Sequence, residues 1–351
     1  MCAKSPNLSI QTGVRVGQKF VPNALLFLSA TIIGVLMIEL GLRVLYPITF
    51  MNVETQGAQQ TAGWALFTPD RVLGWHPTLG TDLYDENGIL FGRSIYAKPV
   101  GPKLLLIGDS VTARAQILNG LANLMPPEIT FLNGGVEGYN IEQEVEFFFR
   151  FQKDLRPDAI IHQMHISNLN ARRQLMRPRD GTIRLYSPRV TEVTINPTLY
   201  KHSQIYRFLI ANLASRFSKD ELKASAVESL RRMGDYARDN GIAYHLVLFP
   251  VLEPLANWTA YDRETRDYLL NAARTLGLDV IDLDPVAEQM ISVGVDPKQG
   301  PGDNWHPNPQ MGEAAAKYIV ERIPSLLSIQ SRREHFKSPL GSRRADPIAT
   351  R

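Results

Sequence analysis

The chain has one cysteine in 351 residues, Cys2, which excludes an internal disulfide framework and any multi-cysteine zinc site. It has no P-loop, and Gly134, Gly135 and Gly138 miss the G-x-G-x-x-G spacing, so neither nucleotide fingerprint is present. Internal repeats and low-complexity segments are absent too. Charge is missing from residues 24–38, and residues 1–23 carry Lys4, Arg15 and Lys19 without an acid. The pI near 8.9 and the formal charge of +3 suggest a basic protein. Yet residues 1–23 hold +3, and residues 331–351, with six Lys or Arg against Glu334 and Asp346, hold +4. That leaves −4 for residues 24–330, so the basic pI belongs to the two ends and says nothing of a nucleic-acid partner.

What is present begins with an apolar stretch. Ala24 to Tyr46 reads as one helix stopped by Pro47. Its length is about 34 Å at ~1.5 Å per residue, enough for a hydrocarbon core of about 30 Å. Glu39 and Arg43 stand four apart on one face, near the far end where side chains reach the interface. A cleaved signal peptide has a shorter apolar core and a small-residue cleavage site, and no A-x-A-like triplet follows closely. The expectation is an uncleaved single-pass anchor in an inner or plasma membrane. The basic residues before it place the N-terminus in the cytoplasm and the rest on the periplasmic or extracellular side. An exterior without cysteine suits an oxidising compartment.

The expected organisation is a cytoplasmic leader at 1–23, the anchor at 24–46, a stalk and covering segment at 47–100, a domain at 101–328 and a disordered basic tail at 329–351. Within the domain, short apolar runs at 103–107, 128–132, 159–164, 243–249 and 280–283 read as buried strands. Helical patterns lie at 112–124, 141–153, 220–240, 262–276, 285–292 and 310–323, with Gly241 and Gly277 as stops. Residues 169–215 have no clean period and read as an insertion with local helix. Strands alternating with helices predict an α/β fold with a parallel sheet covered on both faces.

In a parallel sheet, sites form at the carboxyl ends of the strands. After the first strand comes Gly108-Asp109-Ser110, where Ser110 opens a helix. After the second come Asn133-Gly134-Gly135-Val136-Glu137-Gly138, and after the third Ile166-Ser167-Asn168-Leu169-Asn170. Asp303-Asn304-Trp305-His306 precedes the final helix, and a spacing of three lets Asp303 fold back onto one imidazole nitrogen of His306. The other nitrogen is then free to take a proton from Ser110, whose hydroxyl needs an adjacent base to act as a nucleophile. Each block alone is as consistent with a helix cap, a turn or a satisfied loop histidine. Four in this order are not.

Together these blocks resemble the SGNH (GDSL-type) hydrolases over roughly residues 100–325. The Glu-Leu-Gly-Leu-Arg membrane end followed by Leu73-Gly74-Trp75 is similar to membrane-anchored bacterial members. The resemblance implies a flavodoxin-like three-layer α/β/α sandwich, with the N-terminal transmembrane helix in addition, and an enzyme acting on ester bonds. It implies Ser110 as nucleophile, His306 as base and Asp303 as its partner. The oxyanion hole would be built from the Ser110 and Gly138 N–H groups and the Asn168 amide. The third block departs from the usual G-x-N-D, with Ile166 and Leu169 in place of the glycine and aspartate, and Asn170 is a second candidate donor. The first block also lacks the glycine that commonly follows it, having Val111-Thr112-Ala113-Arg114 instead.

No cofactor or metal is called for. His162 and His165 fall on opposite faces of a strand, which argues against a shared metal. Arg172, Arg173, Arg177, Arg179, Arg184 and Arg189 stand against Asp180 alone. Arg172 and Arg173 follow Asn168 closely and are candidates for attracting an anionic substrate; a solvated basic loop is the other reading. Phe147, Phe148, Phe149 and Phe151 read as a buried helix face. Three functions stay open: an esterase for O-acyl groups such as acetyl esters on a glycan, an O-acyltransferase for an envelope or exported polysaccharide, and a non-catalytic glycan-binding protein.

Overall fold

The computed structural model describes residues 20–45, 67–70, 72–96, 101–169, 174–176, 183–187, 190–214 and 219–329. The expected leader before residue 20, the tail from 330, Asn170, Arg172, Arg173, Arg177, Arg179 and Arg189 lie outside them.

In chain order the elements begin with α1 (Phe20–Leu45), β1 (Phe67–Asp70), β2 (Gly74–Pro77) and β3 (Lys103–Ile107). Next come the single turn α2 (Ser110–Ala113), α3 (Gln116–Leu124), β4 (Thr130–Asn133), α4 (Ile141–Phe147) and β5 (Ala159–His165). Three short strands follow, β6 (Gln174–Met176), β7 (Ile183–Ser187) and β8 (Val190–Ile195), then α5 (Pro197–His202) and α6 (Gln204–Ala214). The chain closes with α7 (Lys219–Asp239), β9 (Ala243–Phe249), α8 (Ala260–Thr275), β10 (Val280–Asp282), α9 (Asp284–Ser292) and α10 (Pro309–Arg322).

These elements form two units. The first joins residues 1–51 to 195–213; the second holds 52–194 and 214–351. In the first, α1 contains a stretch, Ala24–Leu45, long and apolar enough to cross a membrane. The Glu39 carboxylate accepts from the backbone N–H groups of Gln204 (2.7 Å) and Ile205 (2.9 Å), from Ser203 Oγ (3.1 Å) and from Arg43 Nε (3.0 Å). Arg43 Nη2 also donates to the His202 carbonyl at 2.6 Å. The sequence places Glu39 beside Arg43; its partners 165 residues away come only from the fold.

The second unit is built on a five-stranded sheet ordered β10-β9-β5-β3-β4, every neighbouring pair parallel. This is the 2-1-3-4-5 order of flavodoxin-like sheets, whose switch point lies between β3 and β5. All of β4 and β5 and four residues of β3 are buried, as strands covered on both faces must be. Leu104, Leu106, Ala159, Ile161, Val247 and Phe249 face a core shared with α3, α9 and α10. Their alternates Leu105, Ile107 and Ile160 face Val145 and Phe148 and Met233 of α7. Leu246 and Leu248 meet Leu230 of α7 and Leu269 of α8. The result is a three-layer α/β/α sandwich.

The local structure departs from the sequence expectation in four places. The helix expected over 112–124 is broken at Ala115, whose φ of +62° ends α2 and restarts the chain as α3. The helix expected over 141–153 widens at Phe148–Gln152 into π winding. The aromatic run therefore splits: Phe147 and Phe151 join Leu73, Val136 and Tyr139, while Phe148 and Phe149 join the sheet-facing core. Residues 169–215 contain a small sheet ordered β6-β7-β8 where no strand was expected. In the segment expected to be irregular, β1 and β2 pair antiparallel around an Asp70 turn, and Ile95 bridges to Phe131 on the β4 edge.

A buried polar group sits beneath α4. His162 lies between Glu144 Oε2, 2.9 Å from Nε2, and the Tyr244 hydroxyl, 2.7 Å from Nδ1. Burial pushes the His162 imidazolium down to about 3 and the Tyr244 hydroxyl far up, so the ring is neutral and the phenol keeps its proton. Tyr244 O–H then donates to Nδ1, and Nε2–H donates to the carboxylate. His165, three residues on, faces the other way and packs against Phe249 and Trp305.

Candidate active site

The carboxyl end of β3 makes a tight turn into α2. Gly108 has a φ of +155°, and a Cβ there would lie 2.4 Å from Thr112 Oγ1 and 2.7 Å from the Gln163 carbonyl. Only glycine fits so close an approach. Asp109 is buried, and its carboxylate accepts the Val111 N–H at 2.9 Å, capping the turn that Ser110 opens. Thr112 Oγ1 donates to Gln163 Oε1 at 2.8 Å, locking the turn to β5. Ser110 is left half-buried at the open end of the sheet.

His306 arrives from the loop before α10, a helix started by Asn308, whose side chain accepts the Met311 N–H, with Pro309 behind it. The loop is braced from two sides. Gln299 N–H donates to the His306 carbonyl and Leu252 N–H to the Asn304 carbonyl, each at 2.9 Å. Within it the Asp303 carboxylate folds back onto His306 Nδ1, with both oxygens 2.8 Å away, and accepts the Trp305 and His306 N–H groups at 3.2 Å. A carboxylate can only accept, so Nδ1 carries the proton and Nε2 presents a lone pair. Ser110 Oγ lies 2.9 Å from Nε2 and donates to it. Burial alone would raise the Asp303 carboxyl. The bonds from His306 and the two backbone N–H groups outweigh it and hold the group below the usual carboxylate range.

The structure thus brings Ser110, His306 and Asp303 into one hydrogen-bonded line, although Ser110 and His306 are 196 residues apart in sequence. The second block is tied to the same turn: Val136 N–H donates to the Gly108 carbonyl at 2.9 Å. Gly138 follows, half-buried with a φ of +86°. Asn168 lies on a 3-10 turn, Ile166–Leu169, directly after β5. Its neighbours Ile166 and Leu169 are buried in the core of the α7–α8 layer, which gives these two departures a packing role.

Sequence reading passed over three groups here. Arg114 stands 3.7 Å from Asp303 Oδ2 and also bonds Gln299 Oε1. With Gly92, Arg93, Ala115, Gln116, Asn119, Glu137 and Gln299 it lines an open cleft of about 530 Å³. Gln163 is buried under the Ser110 turn, where an unbroken strand pattern conceals it. Trp305, between Asp303 and His306, is 41% exposed while one edge packs on buried His165. No His, Cys, Asp or Glu cluster among the described residues has the form of a metal site.

No family model matches the chain, and no curated protein does. Among solved structures it is similar to Axe2, an acetylxylan esterase from Geobacillus stearothermophilus, at 14% identity and a TM-score of 0.43, covering 64% of this chain and 95% of that one. It is also similar to LAE5, an alpha/beta hydrolase enzyme from the metagenome of Lake Arreo, Spain, at 15% identity and 0.45, covering 66% and 98%. The acetyl xylan esterase AlAXEase is similar at 12% identity and 0.41, covering 63% and 99%. With TM-scores below 0.5, none of these likenesses assigns a function to this chain.

Proposed function

We propose that the protein is a membrane-anchored, outward-facing serine esterase of SGNH type that hydrolyses O-acyl esters, acetyl esters of a glycan in particular. One observation carries the reading. Ser110, His306 and Asp303 stand in hydrogen-bonded line at the carboxyl ends of a parallel sheet, with spacings of 2.9 and 2.8 Å.

In this mechanism Ser110 Oγ attacks the ester carbonyl carbon while its proton passes to His306 Nε2. Asp303 holds the ring in the required tautomer and stabilises the imidazolium. The carbonyl oxygen becomes an oxyanion, met by the N–H groups of Ser110 and Gly138 and the amide of Asn168. Loss of one such donor costs about 3–4 kcal/mol of transition-state stabilisation. Collapse breaks the ester C–O bond, and the leaving alcohol takes the proton from His306. Water, deprotonated by the same histidine, then attacks the acyl-serine and frees the acid. Arg114, 3.7 Å from Asp303, connects the triad to a neighbouring cleft with guanidinium, amide and carboxylate groups, and in this reading a polyhydroxylated alcohol extends into it.

The anchor is α1, and the domain of 101–328 is the catalytic part. Supporting a retained helix over a cleaved leader, Glu39 is bonded to Ser203, Gln204 and Ile205 of the mature chain.

The test is labelling with a serine-reactive fluorophosphonate, read at Ser110. Wild-type protein is expected to label and to hydrolyse acetylated xylan or p-nitrophenyl acetate, and folded Ser110→Ala to do neither. An unlabelled folded wild type, or hydrolysis retained by folded Ser110→Ala, refutes the assignment.

A further inference from the structure

Glu39 lies fifteen residues past Ala24, about 22 Å along α1 at ~1.5 Å per residue. In a membrane-spanning helix that is the last part of the span, where an unsatisfied carboxylate is costly. Here both oxygens are occupied. Oε1 takes Gln204 N–H and Arg43 Nε, and Oε2 takes Ile205 N–H and Ser203 Oγ. Arg43 reaches on to the His202 carbonyl. The turn between α5 and α6 is therefore fastened to the far end of α1.

That fastening fixes what surrounds the two helices. Leu36, Leu40 and Val44 of α1 are 62%, 58% and 69% exposed, and Leu199 of α5 and Leu209 of α6 are 49% and 53% exposed. Ile205, Phe208 and Leu209 follow the i, i+3, i+4 spacing of one helical face, while Tyr200 and Ile210 are buried. Lys201, His202 and Arg207 give the same segment a basic character. Outward apolar side chains beside basic ones, on short helices, are the composition of an element lying in a membrane interface.

We propose that residues 195–213 are a second membrane contact: an interfacial helix pair, held to α1 by Glu39 and Arg43, whose Leu199 and Leu209 enter the headgroup–acyl boundary of the bilayer. This rests on the reading of α1 as a membrane span. A bilayer is the occupant because the fastening sets the pair at the level of the last turns of α1, whose apolar side chains need the same surroundings. The chain of the second unit runs into this pair at one end and out of it at the other, so the pair adds two covalent leads to the one that follows α1.

The experiment uses the full chain in phosphatidylcholine–phosphatidylglycerol vesicles with brominated acyl chains. In a Cys2→Ser background, an environment-sensitive fluorophore is placed by Leu36→Cys, Leu199→Cys, Leu209→Cys or Glu264→Cys. Strong quenching is expected at 36, clear quenching by shallowly brominated lipid at 199 and 209, and none at 264 on the exposed surface of α8. Quenching at 36 with none at 199 and 209 overturns the proposal and leaves the anchor standing. No quenching at 36 overturns both. Quenching at 264 equal to that at 209 overturns the assignment of a specific contact. Adding Glu39→Leu should reduce quenching at 209 at least threefold and leave that at 36 unchanged; an undiminished signal at 209 overturns the role of Glu39.

Discussion

Replacing Gly135 by alanine tests how closely the second loop must approach the Ser110 turn. A Cβ on Gly135 would lie 2.5 Å from Ala113 N and 2.8 Å from Thr112 Cβ, where ordinary contact begins at 3.4 Å. The first of these is backbone, so loop and turn must separate by about 0.9 Å rather than one side chain stepping aside. The Val136 N–H bond to the Gly108 carbonyl stretches with them, and Gly138 moves with the loop. A misplacement near 1 Å at reacting groups costs roughly 10²-fold in rate, or about 2.7 kcal/mol. Overpacking costs the fold about 1–3 kcal/mol besides. The expected outcome for Gly135→Ala is a drop of about two orders of magnitude in kcat for p-nitrophenyl acetate, little change in KM and a lowered Tm. Gly134→Ala is the comparison: its Cβ would meet the buried Gln152 side-chain amide at 2.6 Å and break that amide's bonds to the Gly88 and Gly134 carbonyls, so it should lower Tm without pressing on the backbone of the Ser110 turn. A folded Gly135→Ala enzyme with undiminished kcat, or a Gly134→Ala enzyme equally slowed, refutes the reasoning.

Other perturbations follow from single observations. Asp303→Asn keeps a group beside His306 Nδ1 but offers an N–H where an acceptor is needed, so kcat should fall by roughly 10⁴ with the fold intact. Near-normal turnover in the folded variant would show that Asp303 does not set the tautomer. Burial, with Asp282 and Glu288 nearby, outweighs Arg266 and raises Asp284 to about 6 from 3.8. The folded state then binds the extra proton between those values, so this group's contribution to stability declines as pH rises from about 4 to 6. Asp284→Asn should therefore gain on the order of 1–3 kcal/mol over wild type at pH 8 and lose that advantage below pH 4, read by urea unfolding. A pH-independent difference would contradict this. Tyr244→Phe removes the donor to His162 Nδ1 in a buried site and should destabilise by about 1–3 kcal/mol in the same assay; an unchanged midpoint would show that the bond contributes nothing net.

Much of the sheet was legible because strands buried on both faces cannot hide their composition. Lys103–Ile107 and Ala243–Phe249 are largely apolar runs, Ala159–His165 opens as one, and each lies within a residue of its expected bounds. Helices stopped by Gly241 and Gly277 were legible for the complementary reason, a local signal at the end, and both glycines have positive φ, +61° and +68°. The elements that went unread have neither. Residues 174–195 form three short strands from a basic, proline-containing stretch, and β1–β2 depends on Asp70 bonding Val72, Leu73 and Arg150. The break at Ala115 has no local cause, since alanine favours helix; it is imposed where the Ser110 turn meets α3. In the candidate site, the order of Ser110, Asp303 and His306 along the chain suggested their meeting. Arg114, which meets Asp303 across 189 residues, and Gln163, hidden in a strand, had no pattern to announce them.

The bond between Glu39 and the α5–α6 turn bears on how the protein can be handled in solution. For a protein anchored as proposed, the usual route to a soluble form is to begin the chain after α1. Here that cut would remove the acceptor of the Gln204 and Ile205 N–H groups and the cover over the turn, yet keep Leu199 and Leu209 exposed. Such a shortened protein would carry an adhesive patch with nothing to occupy it, and self-association is the natural outcome. A well-behaved soluble form therefore needs two edits: omission of α1, and replacement of residues 196–213 by a short polar link.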